Sequence, residues 1–314
     1  MTSRDIHFVA PIDETPLQAT DALTTDQAPL SLWADAWRKL RRRPLFIISS
    51  LLILALIIIA LFPGLLSTVP PNDDCQLGNS EAGPTGGHPF GFTFQGCDIY
   101  SRVVHGTQAS LSVGVLSVLC VVIIGVTIGA VAGYYGGWVD SVLARLGDIF
   151  FALPLVLGAL VITQLPAFRD NKSVWTVVVI IALLAWPQMA RIARGAVIEV
   201  RNADFVTAAR ALGVSKVGAL LRHVLPNALA PIIVLATLDL GIFIVLEATL
   251  SFLGIGLPQS IMSWGNDIAG AQSSIRTKPE IMLYPAAALS ITVLSFIMLG
   301  DAVRDALDPK SRQR

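Results

Sequence analysis

The chain lacks the short signatures that usually announce catalysis. It has no G-x-x-x-x-G-K-[ST] phosphate loop, so the common backbone cradle for ATP is missing. It has no HExxH, no paired CxxC and no G-x-S-x-G, which removes the familiar zinc, thiol-redox and serine-nucleophile sites. Charge is scarce as well. Only 14% of the 314 residues are charged, and the two signs cancel. Three cysteines and four histidines (His7, His88, His105, His223) are scattered along the chain, so no metal site is expected. The sequence therefore reads as a protein that is not an enzyme and holds no cofactor of its own. Residues 1–30 are polar and lack an apolar core, so no cleavable signal peptide is expected there.

What the chain has in quantity is apolar sequence. Hydrophobic residues make up 54% of it. They fall in blocks long enough to cross a bilayer, which takes about 20 helical residues. Six blocks stand out, at 45–66, 109–133, 142–165, 174–192, 228–252 and 281–303, and residues 51–61 are Leu, Ile and Ala alone. A lipid-buried backbone must satisfy itself internally, and long helices do so. The expected fold is an all-α integral membrane bundle of six transmembrane helices.

Lysine and arginine set its orientation. Arg38, Lys39, Arg41, Arg42, Arg43, Arg145, Arg191, Arg194, Arg201, Arg210, Lys216, Arg222, Arg304, Lys310, Arg312 and Arg314 would lie on one side. Only Arg102, Arg169, Lys172, Arg276 and Lys278 would lie on the other. The positive-inside bias places both termini and the loop at 194–227 in the cytoplasm of a multi-pass cell-membrane protein.

The segments follow in order. Residues 1–30 read as a disordered cytoplasmic tail. Residues 31–44 read as an interfacial amphipathic helix, with Trp33, Trp37 and Leu40 at helical spacing and basic residues at its end. After the first span, 67–108 is rich in proline and glycine and reads as an irregular external lobe. The core runs over 109–307, with a tight turn at 134–138 after which Asp140 can cap the next helix. Residues 253–280 lie outside again, and 308–314 form a second cytoplasmic tail. Arg145 and Asp148 have the spacing of a local ion pair. Asp239 and Glu247 interrupt the fifth apolar block, eight residues apart and so expected to point to similar sides. They read either as groups lining a pathway or partner interface, or, for Glu247, as packing near the external end.

The segment 204–227, DFVTAARALGVSKVGALLRHVLPN, is the polar and basic interruption of greatest interest. Asn202 or Asp204 can cap a short helix with Phe205, Ala208, Ala209 and Leu212 on its apolar side. Gly213 is placed to end that helix in the left-handed conformation, and Ser215 to cap the next. Val217, Leu220, Leu221 and Val224 give the second stretch an apolar stripe, and Pro226 is expected to break it. The product is a stiff helix–glycine–helix hairpin, and the small residues Ala208 and Ala209 allow another protein to approach closely.

This pattern resembles the cytoplasmic coupling loop of permease subunits in ATP-binding-cassette importers. Further stretches are similar to the second permease subunit of oligopeptide, dipeptide and nickel importers: HPFG at 88–91, Gly96, Asp98, Ser101, Arg102, Gly106, SLSVG at 110–114, RLGDIFFALP at 145–154, LRHVLPNALAPI at 221–232, EATLSFLGIG at 247–256 and SWG at 263–265. Together they cover about 31–307. The resemblance implies a type I importer permease bundle with an external lobe between helices 1 and 2. It implies a second homologous permease, two ATPase domains that bind ATP and Mg, and an external solute-binding protein as partners, with the bilayer as the setting and no nucleic acid. It implies ATPase contact through Asp204, Thr207, Ala208, Ala209, Arg210 and Gly213. Thr207 stands where the family has glutamate, so any ion pair made there is lost or passes to Asp204. The lobe also departs from the family: Cys97 replaces an arginine, and 70–87 resembles an insertion carrying Cys75. Two cysteines appearing together on the oxidising side imply a Cys75–Cys97 disulfide. The rival reading, a self-sufficient secondary transporter, would need mid-membrane sites within repeats; only Asp239 is available, and no repeat is visible.

Overall fold

Proline and glycine, more than hydrophobicity, decide where the helices begin and bend in this computed structural model, which describes residues 32–73 and 75–307. The tails expected at 1–30 and 308–314 lie outside the described residues. Helix α1 (Leu32–Leu40) leads into α2 (Pro44–Leu61), whose proline sits in the first turn, where its missing N–H costs nothing. Helix α3 (Ile99–Tyr135) is 37 residues long. At 1.5 Å per residue it far exceeds the ~30 Å hydrocarbon core, so it continues beyond the bilayer. Its start corrects the expected lobe boundary: Asp98 caps it, accepting from the Ser101 N–H at 3.0 Å, and the last part of 67–108 is helical.

The third apolar block differs most from expectation. Instead of one straight span over 142–165 there are two helices, α4 (Gly137–Phe151) and α5 (Leu155–Thr163), bent by 82°. Pro154 explains the break, because it cannot donate to the preceding turn and its ring disfavours a helical Leu153. Among the described residues five helices are long and apolar enough to cross a membrane, or six if this bent pair is one span. The others are α2, α3, α6 (Val174–Arg201), α9 (Leu229–Phe252) and α11 (Glu280–Leu307). Between α6 and α9 lie α7 (Asp204–Ala211) and α8 (Lys216–Ala219), and α10 (Trp264–Gly270) lies between α9 and α11.

The tightest pairing is α3 on α6, and its cause is a stripe of small residues. Gly125, Gly129 and Gly133 face α6 so closely that a Cβ on Gly129 would lie 2.3 Å from the Ala190 carbonyl oxygen. Membrane helices associate through such close backbone approach, since lipid gives them no hydrophobic drive. Val113, Val121, Ile180, Ile181 and Met189 fill the core beside this crossing. Helix α9 packs on α3 and α11, and α2 lies outermost against α11. Leu51, Leu54 and Leu61 on α2 are exposed, as lipid-facing residues should be. Helix α1 turns back onto α11, and Arg43 pairs with Asp305 at 2.5 Å.

The lobe has no strands among its described residues beyond two isolated bridges. It is closed by a Cys75–Cys97 disulfide. Backbone bonds from Gln76 to Gly96 and from Glu81 to Thr93 run beside the bridge. The lobe is tied to the bundle by Ser101, whose hydroxyl donates to the Val69 carbonyl at 2.5 Å, and by Phe90 stacked on Tyr284 at 4.1 Å.

Candidate functional site

Two groups of residues could carry function: the loop after α6 and the carboxylates of α9. Helix α6 runs to Arg201, beyond the apolar block, and so carries the loop away from the span. The expected caps of α7 differ in detail. Ala203 occupies the cap position without a side-chain bond, while Asn202 donates back to the Ile198 carbonyl of α6. Asp204 lies in the first helical turn, where a carboxylate faces the positive end of the helix dipole. Gly213 has φ +91°, and α7 ends in a reciprocal cap: Gly213 N–H donates to Arg210 O and Val214 N–H to Ala209 O. Ser215 then caps α8, accepting from Gly218 N–H at 3.1 Å.

Pro226 does not break the second stretch. A π turn over Leu220–Val224 follows α8 and leads directly into a further turn, Leu225–Asn227. The wider turn accommodates the proline, and the chain breaks only at Ala228.

The apolar residues of the hairpin divide into two sets. Val206, Leu220 and Val224 are buried in one cluster with Ala130 of α3 and Ala196 and Val197 of α6. Phe205, Leu212, Val217 and Leu221 point outward, with Leu212 at 87% exposure. Thus Phe205, Ala208, Ala209 and Leu212, read from sequence as the apolar side of α7, lie on its outer or rim side, and Val206 is the anchor. Thr207, Ala208 and Arg210 are exposed and Ala209 is half-buried. The base is held further by arginines of α6. Arg194 pairs with Asp140 at 2.5 Å, Arg191 with Asp148 at 3.4 Å, and Arg201 donates to the Gly133 carbonyl at 2.6 Å. Asp140 is therefore an ion-pair partner rather than a cap, and Asp148 pairs across helices instead of with Arg145. Sequence spacing registers only local pairs, and both of these are long-range.

Asp239 and Glu247 are both buried, yet in unlike surroundings. Eight residues on a helix separate them by about 80° around the axis, enough to send them to different neighbours. Glu247 accepts from Ser110 Oγ of α3 at 3.1 Å and from Ser251 Oγ at 2.9 Å, and the Ser263 hydroxyl faces it too. Those hydroxyls in turn hold the segment after α9: Trp264 N–H donates to Ser110 Oγ, Leu257 N–H to Ser251 Oγ and Asn266 N–H to Ser263 Oγ. Next to this knot Arg102 of α3 grips Asp267 of α10 at 2.5 Å. Burial pushes the Asp267 carboxyl above its ordinary value, and the Arg102 guanidinium opposes that rise. Asp239 instead borders a cavity of about 480 Å³ beside the α4–α5 break.

Sequence reading missed the glycine stripe of α3. Its signal was present as G-x-x-x-G-x-x-x-G at 125–133, a spacing that places all three on one helix face.

Residues 125–313 match the family of the binding-protein-dependent transport system inner membrane component, and residues 31–84 match the N-terminal TM domain of oligopeptide transport permease C. The chain is 37% identical over 283 residues to the dipeptide transport system permease protein of Alkalihalophilus pseudofirmus, covering 90% of this chain and 91% of that relative. It is 34% identical over 292 residues to the glutathione transport system permease protein of Pectobacterium atrosepticum, covering 93% and 96%. Among solved structures, the inward-facing MetNI methionine ABC transporter superposes with TM-score 0.56 at 19% identity, covering 66% of this chain and 96% of that one. An amino acid ABC transporter gives 0.51 at 20% identity, covering 65% and 92%. These two show the fold alone.

Proposed function

The chain belongs to the family of binding-protein-dependent transport system inner membrane components, and we propose that it forms half of the translocation pathway of an ATP-driven peptide importer. A second, homologous permease supplies the other half. Two ATPase domains bind and hydrolyse ATP with Mg beneath the membrane, and an external solute-binding protein delivers the cargo. Both termini and the 204–227 hairpin face the cytoplasm, in line with the arginine and lysine distribution. The relatives' names, a dipeptide and a glutathione permease, support a short peptide as cargo.

One observation carries this reading. The hairpin is anchored on one side by Val206, Leu220 and Val224, yet leaves Phe205, Leu212, Val217 and Leu221 uncovered on the other. An element stiff at its base and apolar at its tip suits a docking lever: a partner that grips the tip moves α3 and α6 directly. Asp204, Thr207, Ala208, Ala209, Arg210 and Gly213 make up the contact region. ATP binding closes the ATPases and draws the two hairpins together, opening the pathway outward, and hydrolysis resets it.

The test is reconstitution. The chain, co-expressed with its neighbouring permease, ATPase and binding-protein genes, is purified and placed in liposomes. Uptake of labelled dipeptide that requires ATP and binding protein is the expected result. Uptake by this chain alone, driven by a proton gradient, would overturn the proposal.

A further inference from the structure

Asp239 stands apart from the other buried or inward carboxylates. Glu247 is satisfied by serine hydroxyls, Asp98 accepts from the Ser101 N–H and faces His88, and Asp140 and Asp267 each meet an arginine. Asp239 is only 4% exposed, and among the described residues no hydrogen bond or ion pair reaches its carboxyl group. It borders the cavity where the Pro154 break between α4 and α5 opens against α6. Phe150, Leu184 and Phe243 wall that cavity, Gln188 and Thr249 add neutral polar groups, and Asp239 carries the one charge among its lining residues.

A carboxylate facing hydrocarbon is costly, and intramembrane acids turn instead to protein or to water-filled cavities. With no protein partner for it, the charged form of the Asp239 carboxyl needs water or a ligand beside it. Apolar walls screen its field weakly, so the cavity attracts cations and repels anions. We propose that Asp239 is a site within the transport pathway for the positively charged amino group of the cargo, with Gln188 and Thr249 as its neutral polar surroundings. The cargo class is then a peptide with a free amino group, and an anionic or amino-blocked analogue passes poorly. This rests on the importer reading above.

The test uses the complete importer in nanodiscs. Dicyclohexylcarbodiimide, a hydrophobic carboxyl reagent, is added, and modification of Asp239 is read by mass spectrometry. Trialanine amide, a cation, should slow modification at least about tenfold, the scale of one charge-assisted hydrogen bond. N-acetyltrialanine amide, neutral and of similar size, should not. Equal protection by both, protection by neither, or an Asp239 that the reagent never reaches overturns the site. In liposomes, Asp239→Asn should lower trialanine uptake at least about tenfold and Asp239→Glu should recover most of it; wild-type uptake by the Asn variant also overturns the site. Amine-selective protection without ATP-driven uptake would remove the importer reading and keep the amine site. Uptake without such protection would do the reverse.

Discussion

Ser110 of α3 donates a hydrogen bond to Glu247 of α9 at 3.1 Å, across 137 residues of sequence. The same serine oxygen accepts the Trp264 N–H. Three stretches that look separate along the chain, 110–114, 247–256 and 263–265, thus meet at one buried carboxylate. The knot holds the segment 253–270 down on the helix ends.

Glu247→Ala should therefore destabilise the protein without touching any cargo. It leaves the hydroxyls of Ser110 and Ser251 without their acceptor in a buried place, at about 1–3 kcal/mol for each unsatisfied group. Thermal unfolding in detergent should shift clearly downward, while Glu247→Gln, which keeps an acceptor oxygen, recovers part of the loss. A Glu247→Ala protein as stable as wild type would show that the knot carries no weight.

Gly213 sits at φ +91° with open space around it. Its constraint is backbone conformation alone, and a β-branched residue there costs about 1–2 kcal/mol or more. Gly213→Val should leave the protein inserted, because the hairpin lies outside the apolar spans. It should uncouple the machine: ATP hydrolysis continues while uptake falls. Normal uptake would show that the shape of this turn is not used.

The disulfide gives a prediction independent of transport. Denatured without reductant, the protein should expose one reactive thiol, Cys120, and three after reduction. Replacing both Cys75 and Cys97 by serine should loosen the lobe by about 3 kcal/mol in the chain-entropy view and speed its proteolysis. Three reactive thiols before reduction would contradict the bridge.

Gly129→Leu should separate α3 from α6. No rotamer frees a side chain whose Cβ already lies 2.3 Å from the Ala190 carbonyl. Backbone obstruction of this kind cannot relax cheaply, so the cost should exceed the ~1–3 kcal/mol typical of overpacking. Expression of folded protein is the readout, and Gly195→Leu, at a position with open space, serves as the control.

The helices and the hairpin were legible because their signals are local: unbroken apolar runs, a serine before Lys216, a glycine after Leu212. What could not be read was how each side chain divides between neighbours. Spacing marked Phe205 and Leu212 as the apolar side of α7 but passed over Val206, the residue that α3 and α6 cover. Asp148 had a near arginine at i−3, but its partner is Arg191, 43 residues away. The bend at Pro154 was visible as a proline, yet the apolar run continued through it and masked the break. Asp239 and Glu247 looked alike because composition does not say that one faces serines and the other a cavity.

The most direct test of the lever is a photo-crosslinker at Leu212, the most exposed apolar residue of the hairpin. In cells expressing the whole system, a covalent adduct with the ATPase subunit is the predicted result, with yield changing when ATP is trapped. Adducts confined to lipid or to this chain itself would contradict the account.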